Sequence, residues 1–216
     1  KIIATSKKYA ETSKLLNKIE KNKISIIPIG ISYILKPSEI KLDNRKNYIL
    51  FIGSNRSYKG IPLLEIIIRS SNNKFVLIGS DLSKLKKYKN TKVYERISEK
   101  RKIELLSNAS FLLMTSSSRN EAFGIVLVEA LRSGLPIISP NLNTGVSWIN
   151  ENKKTGYIYQ TNEASDLTKK IEKMNKLPIR DYLKLKSNSR MRFEKFFTLD
   201  IMSKKLDMVY SKSFNH

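Results

Sequence analysis

Cysteine is absent from the 216 residues, and the only histidine is the last residue, His216. Disulfides, thiolate metal sites and cysteine nucleophiles are therefore excluded, and a reducing compartment is compatible with the chain. A Ser-His-Asp triad or a histidine-based zinc site would have only this terminal histidine to be built around, and neither is expected. No Asp-x-Asp pair occurs either, so magnesium held by such an acidic pair is not supported. No apolar run approaches the roughly 20 residues that a membrane span needs. No leader peptide is visible, and the chain opens on Lys1 rather than Met, so residues upstream of it are expected.

What is present is basic and globular. Hydrophobic residues make up 40% and charged residues 28%, the balance of a packed domain rather than a disordered chain. Lys and Arg number 41 against 19 Asp and Glu, a net charge of +22. Such a field attracts polyanions, whether nucleic acid, anionic lipid or a negatively charged substrate. A coding bias toward Lys, Ile and Asn would give the same composition without function. The densest basic stretch runs from Lys84 to Lys102, without a period that defines one helix face.

Apolar segments at 48–53, 74–79, 91–95, 110–115 and 136–139 read as strands. Helix-like segments at about 59–70, 81–89, 98–108 and 124–133 separate them. That alternation predicts a parallel sheet with helices on both faces. A short strand near 156–159 and helices at about 163–175, 179–195 and 199–212 complete the pattern. Ahead of the sheet, 1–9 reads as a strand, 9–19 as a helix and 24–29 as a second strand. In such open sheets ligands bind beyond the C-terminal ends of the strands. The loops expected there carry Gly53-Ser54-Asn55-Arg56 with Lys59-Gly60, then Arg96-Ile97, then 116–124, then 141–145.

The most informative string is residues 119–140, RNEAFGIVLVEALRSGLPIISP. Ile125 to Arg132 has helical apolar spacing, and Ser133-Gly134 stops it. Glu121 then stands just outside the helix N-terminus and Glu129 about one and a half turns inside. The free N–H groups between the two carboxylates form an anion site. A ligand with negative charge in its middle and hydroxyls at both ends suits that spacing, as a nucleotide-diphosphate sugar does.

Glu121-Ala-Phe123-Gly124 followed by Glu129 and Gly134-Leu-Pro136 resembles the E-x7-E signature of the retaining glycosyltransferases of family 4, which have the GT-B fold. Residues 23–32, 48–60, 143–156 and 196–210 are similar to other passages of that family, in the same order. The resemblance implies a Rossmann-like α/β fold, the GT-B C-terminal domain. Its parts would be the tail of an N-terminal acceptor domain at 1–30, a linker at 31–47, a nucleotide-sugar-binding domain at 48–195 and a closing helix at 196–216. It implies a transferase that moves a hexosyl-type sugar from a UDP- or GDP-sugar to an acceptor, with retention and without a metal or other cofactor. The acceptor, a lipid-linked glycan, a polysaccharide or a protein glycan, stays open.

The same resemblance distributes roles. Lys59 would meet the donor diphosphate as charge grows on the leaving group. Gly53, Ser54 and Gly60 would form the phosphate loop. The family has a basic residue directly after the first glycine; Ser54 stands there, which leaves Arg56 as a substitute or as a surface arginine. Glu121 would act by the donor sugar and Glu129 on the ribose hydroxyls. Phe123 and the backbone of Gly124, Ile125 and Val126 would complete the diphosphate site. Arg96 and Ile97 would flank the base, and Asn143, Thr144 and Gly145 the sugar, with Trp148 read as core. Two other readings stay open: a basic nucleic-acid-binding module, and another GT-B nucleotide-sugar enzyme such as an epimerase or phosphorylase. The expected location is the cytoplasm, with peripheral contact to the inner membrane face if the charge is functional.

Overall fold

The computed structural model describes residues 1–33 and 47–214, so most of the expected linker at 31–47 lies outside the described residues. A first unit holds β1 (Ile2–Ala4), α1 (Lys7–Thr12) and β2 (Ile24–Ile26), its two strands paired in parallel. The main unit follows with β3 (Ile49–Ile52), α2 (Ile61–Ser70), β4 (Phe75–Ile78), β5 (Thr91–Tyr94), α3 (Glu99–Asn108) and β6 (Phe111–Leu113). It continues through α4 (Ile125–Arg132), β7 (Ile137–Pro140), α5 (Gly145–Ile149), β8 (Gly156–Tyr159) and α6 (Ala164–Asn175), then closes with α7 (Ile179–Phe196) and α8 (Leu199–Phe214).

Six strands form one parallel sheet in the order β5-β4-β3-β6-β7-β8. The chain winds one way from β3 and then resumes on its other side at β6. The crevice between these two strands is therefore the topological switch point, where open α/β sheets bind ligands. Both faces are covered over the inner strands, which is why those read as continuous apolar runs, while the edge strand β5 is only partly buried. Ile49, Phe51, Phe75 and Leu77 pack with α2, α6 and the first half of α7 on one face. Leu50, Val76, Leu112 and Ile137 pack with α3, α4, α5 and Phe193 on the other. The alternation of neighbours between faces is the two-residue period of the strand.

The N-terminal reading needs correction. The strand ends at Ala4, and α1 begins at Lys7 because the Ser6 hydroxyl accepts from Tyr9 N and caps it. The helix stops at Thr12, and two 3₁₀ turns, Leu16–Lys18 and Lys21–Lys23, follow. The helix expected at 81–89 is likewise a 3₁₀ segment, Ser83–Lys87, entered through Asp81 at φ 61°. The passage at 27–33 crosses to the end of α7, where Ile31 N donates to Phe197 O at 2.9 Å and Leu199 N to Ile31 O at 3.1 Å. A Cβ on Gly30 would sit 2.3 Å from the Thr198 carbonyl oxygen, so this close crossing requires glycine.

Candidate functional site

The loops after β3 and β6 meet at the switch point and are clamped together. The Thr115 hydroxyl donates to Lys59 O at 2.8 Å, and Ser117 N donates to Tyr58 O at 2.8 Å. Gly60 lies between them at φ 65°, and a Cβ there would stand 1.8 Å from Thr115 O. This clamp fixes the stem of Lys59, whose ammonium bonds Glu121 Oε2 at 2.5 Å. Ser116 donates to the same oxygen at 2.9 Å. Glu121 is only 8% exposed, yet three elements satisfy it, because its own carbonyl accepts from the Thr144 hydroxyl at 2.9 Å. The sequence placed Lys59 and Glu121 in one site with separate roles; the structure joins them as an ion pair.

Behind Glu121 the chain turns at Gly124, φ 88°, into α4, whose N-terminus no side chain among the described residues caps. Its first turn therefore faces the loop edge with unsatisfied N–H groups and the positive end of the helix dipole. Ile125 is exposed and Val126 half-buried there. Phe123 departs from expectation. Its side chain is buried against Phe197, ring centres 6.3 Å apart, and serves the core rather than the open edge.

Glu129 lies further along α4, with its side chain 14% exposed. Lys102, on the first turns of α3, bonds Glu129 Oε1 at 2.7 Å and Glu99 Oε2 at 2.8 Å. Burial alone would push the Lys102 ammonium down; the two carboxylates more than offset it and hold its pKa above the ordinary lysine value. Sequence reasoning counted Lys102 only as part of a basic stretch. The available signal was its place at the start of a helix that follows a strand and so opens on the ligand edge.

The remaining expected residues are placed as follows. Gly53 and Ser54 lie half-buried directly after β3, where Gly53 N donates to Ile78 O at 2.8 Å. Arg56 is exposed on the same loop, and among the described residues its side chain has no partner. Arg96 and Ile97 follow the edge strand β5; Ile97 packs on the core while Arg96 is exposed and makes no contact with the two glutamates. Asn143, at φ 51°, accepts through its carbonyl from Arg119 at 2.9 Å and from the Thr12 hydroxyl of α1 at 2.8 Å. Beside it a cleft of about 640 Å³ opens between α1 and the ends of β7 and β8, lined by Lys8, Asn141, Trp148, Asn152 and Gln160 among others. Trp148 is both core and wall, since it also packs on Phe197 at 5.1 Å.

Away from this edge, α4 ends in a buried arginine that the sequence did not single out. Arg132 is 2% exposed; its Nη1 donates to Ser32 O at 3.3 Å, its Nη2 lies 3.7 Å from Glu99, and its carbonyl accepts from Arg190. Burial lowers its pKa from the ordinary arginine value. The arrangement ties α4, α7 and the 30–33 crossing together.

A family model described as glycosyl transferases group 1 matches residues 35–192. The chain belongs to this family. Among curated relatives it is 29% identical over 221 residues to O-antigen chain mannosyltransferase C of Escherichia coli, covering 93% of this chain and 57% of the relative. It is 28% identical over 172 residues to D-rhamnosyltransferase WbpZ of Pseudomonas aeruginosa, covering 73% and 45%. The chain thus spans about half the length of these group 1 relatives. Its fold is that of a glycosyltransferase from Rickettsia africae, TM-score 0.82 at 21% identity over 98% of this chain and 63% of that one. It is also that of Anabaena HepE in complex with UDP and glucose, TM-score 0.78 at 18% identity over 97% and 62%. Among the described residues, no helix is long and apolar enough to cross a membrane, and no cluster of His, Cys, Asp and Glu could hold a metal ion.

Proposed function

We propose that this chain forms the donor-binding part of a glycosyltransferase that moves a hexosyl-type sugar from a UDP- or GDP-sugar to a glycan acceptor, with retention of configuration. The observation that carries the reading is the convergence of Lys59, Glu121, the uncapped α4 N-terminus and Glu129 on the switch-point edge. In sequence they are spread over 70 positions, and only the fold brings them together. The E. coli relative is a mannosyltransferase and the HepE structure holds UDP, which supports a nucleotide-sugar donor.

In this reading the diphosphate lies over the first turn of α4, whose N–H groups and dipole favour negative charge. Lys59 has one carboxylate partner and leaves it to follow the charge that develops on the departing diphosphate, with Arg56 as an auxiliary cation from the same loop. Glu121, freed of its lysine, turns toward the donor sugar. There it accepts from hydroxyls and stabilises positive character at the anomeric carbon. Glu129 accepts from the ribose at the other end of the ligand. No metal is needed to offset the leaving charge in this scheme, because Lys59 and the helix terminus supply the opposing positive field.

The test is thermal unfolding of the chain with UDP-, GDP- and ADP-sugars at rising concentration. Ligand binding only to the folded state raises stability by about 2.7 kcal/mol at a hundredfold excess over Kd. One donor class should raise the midpoint in a saturable way, and Lys59→Ala should abolish most of the rise. No shift with any nucleotide sugar overturns the proposal.

A further inference from the structure

Lys102 and Glu129 meet across two helices, and the geometry of the contact is asymmetric. Glu129 Oε1 is engaged by the ammonium at 2.7 Å, whereas Oε2 has no hydrogen-bond partner among the described residues. Lys102 is also bonded to Glu99 at 2.8 Å, and Glu99 in turn lies 3.7 Å from the guanidinium of Arg132. The charges therefore alternate from α4 to α3 and back: carboxylate, ammonium, carboxylate, guanidinium. With two carboxylate acceptors at once, the ammonium has little freedom to move. A carboxylate bonded to it through one oxygen inherits that fixity.

We propose that Lys102 is a positioning residue for nucleotide recognition: it locks Glu129 through one oxygen and leaves the other aimed for the ribose hydroxyls. The inference rests on the nucleoside-diphosphate reading of the site and adds to it a residue from a different helix. Lys102 does not touch the nucleotide in this scheme. Its contribution is the orientational entropy that Glu129 no longer loses on binding. A positioning lysine of this kind has a signature that a structural one lacks, because its effect depends on whether the ligand carries the hydroxyl.

The test titrates UDP, GDP and their 2′-deoxy counterparts calorimetrically into the chain and into Lys102→Met, Lys102→Gln and Lys102→Arg. Thermal unfolding of each variant reports whether it is folded. The parent should prefer the ribonucleotide by about tenfold, the value of one charge-assisted hydrogen bond. Lys102→Met and Lys102→Gln should lose most of that preference by weakening the ribonucleotide alone, and Lys102→Arg should restore part of it. An equal fall for both nucleotides in a folded variant, or an unchanged preference, overturns the role of Lys102. A parent that binds ribo- and deoxynucleotides equally also overturns it. A parent that binds no nucleoside diphosphate instead brings down the site reading on which the inference stands.

Discussion

Lys59–Glu121 closes at 2.5 Å between two loops, whereas Lys102–Glu129 closes at 2.7 Å between two helices. Each glutamate is engaged through one oxygen, and the difference lies in the lysines. Among the described residues, Lys59 has a single carboxylate and otherwise the ring of Tyr58, 5.2 Å away. Lys102 is held between two carboxylates. A cation with one partner can exchange it for a phosphate, while one with two is fixed in place. The loop pair is thus suited to answer a ligand and the helix pair to hold still for it.

The comparison breaks most severely at Gly60. Its φ of 65° and the 1.8 Å approach of an added Cβ to Thr115 O leave no room for Gly60→Ala without moving backbone. A loss of about 3 kcal/mol is expected from the strain and the clash together. For a chain of this size that is a fall in Tm of roughly 6–12 °C, readable by calorimetry. The loop pair should be lost while the helix pair survives; a variant as stable as the parent would show that the clamp between the two loops is not what orders Lys59.

Lys59→Ala comes next. It should lower affinity for a nucleoside diphosphate by about 1–3 kcal/mol, the range of a charge-assisted contact. Lys59→Arg should keep part of the binding. Equal affinity of parent and Ala variant in a titration would remove Lys59 from the site. The two glutamates should then separate. Glu129→Ala weakens nucleotide binding by about 1 kcal/mol, and Glu121→Ala spares binding but harms turnover in a complete enzyme. If both substitutions moved affinity alike, the division between ribose end and sugar end would be wrong.

The smallest effect concerns α3, the helix that carries Lys102. Tyr48, at the foot of β3, donates to Leu105 O at 2.8 Å, and burial pushes its phenol up to about 12 from 10.0. A folded pKa above the unfolded value gives stability that is fully present below pH 10 and is lost as pH rises toward 12. Tyr48→Phe should therefore flatten the alkaline fall in stability by on the order of 1 kcal/mol. Identical alkaline unfolding curves for the two proteins would show that Tyr48 does not report on how α3 is tied to the sheet.

The inner sheet strands were legible because both of their faces are buried. Segments such as Phe75–Ile78 are wholly apolar and are bounded by Lys74 and Gly79, so type and limits show together. Glu121 and Glu129 were legible because their spacing on one loop and one helix is local. Lys59 was legible as a site residue too, but the pairing of each glutamate with its lysine was not. Lys59 pairs across 62 positions and Lys102 across 27, distances at which no sequence period carries information. Arg132 was not singled out, because it is buried by α7 and the 30–33 crossing, which lie far from it in sequence. The short elements failed for a related reason. A single hydroxyl, Ser6, decides where α1 begins, and such a cap outweighs an eleven-residue apolar pattern.

The most direct test of the donor-site account is a calorimetric titration of UDP, GDP and a short DNA duplex into the parent chain and into Lys59→Ala. The account predicts saturable one-site binding of one diphosphate to the parent, weakened by about 1–3 kcal/mol in the variant, with only weak, salt-sensitive binding of the duplex. Binding of the duplex alone, untouched by Lys59→Ala, would contradict it.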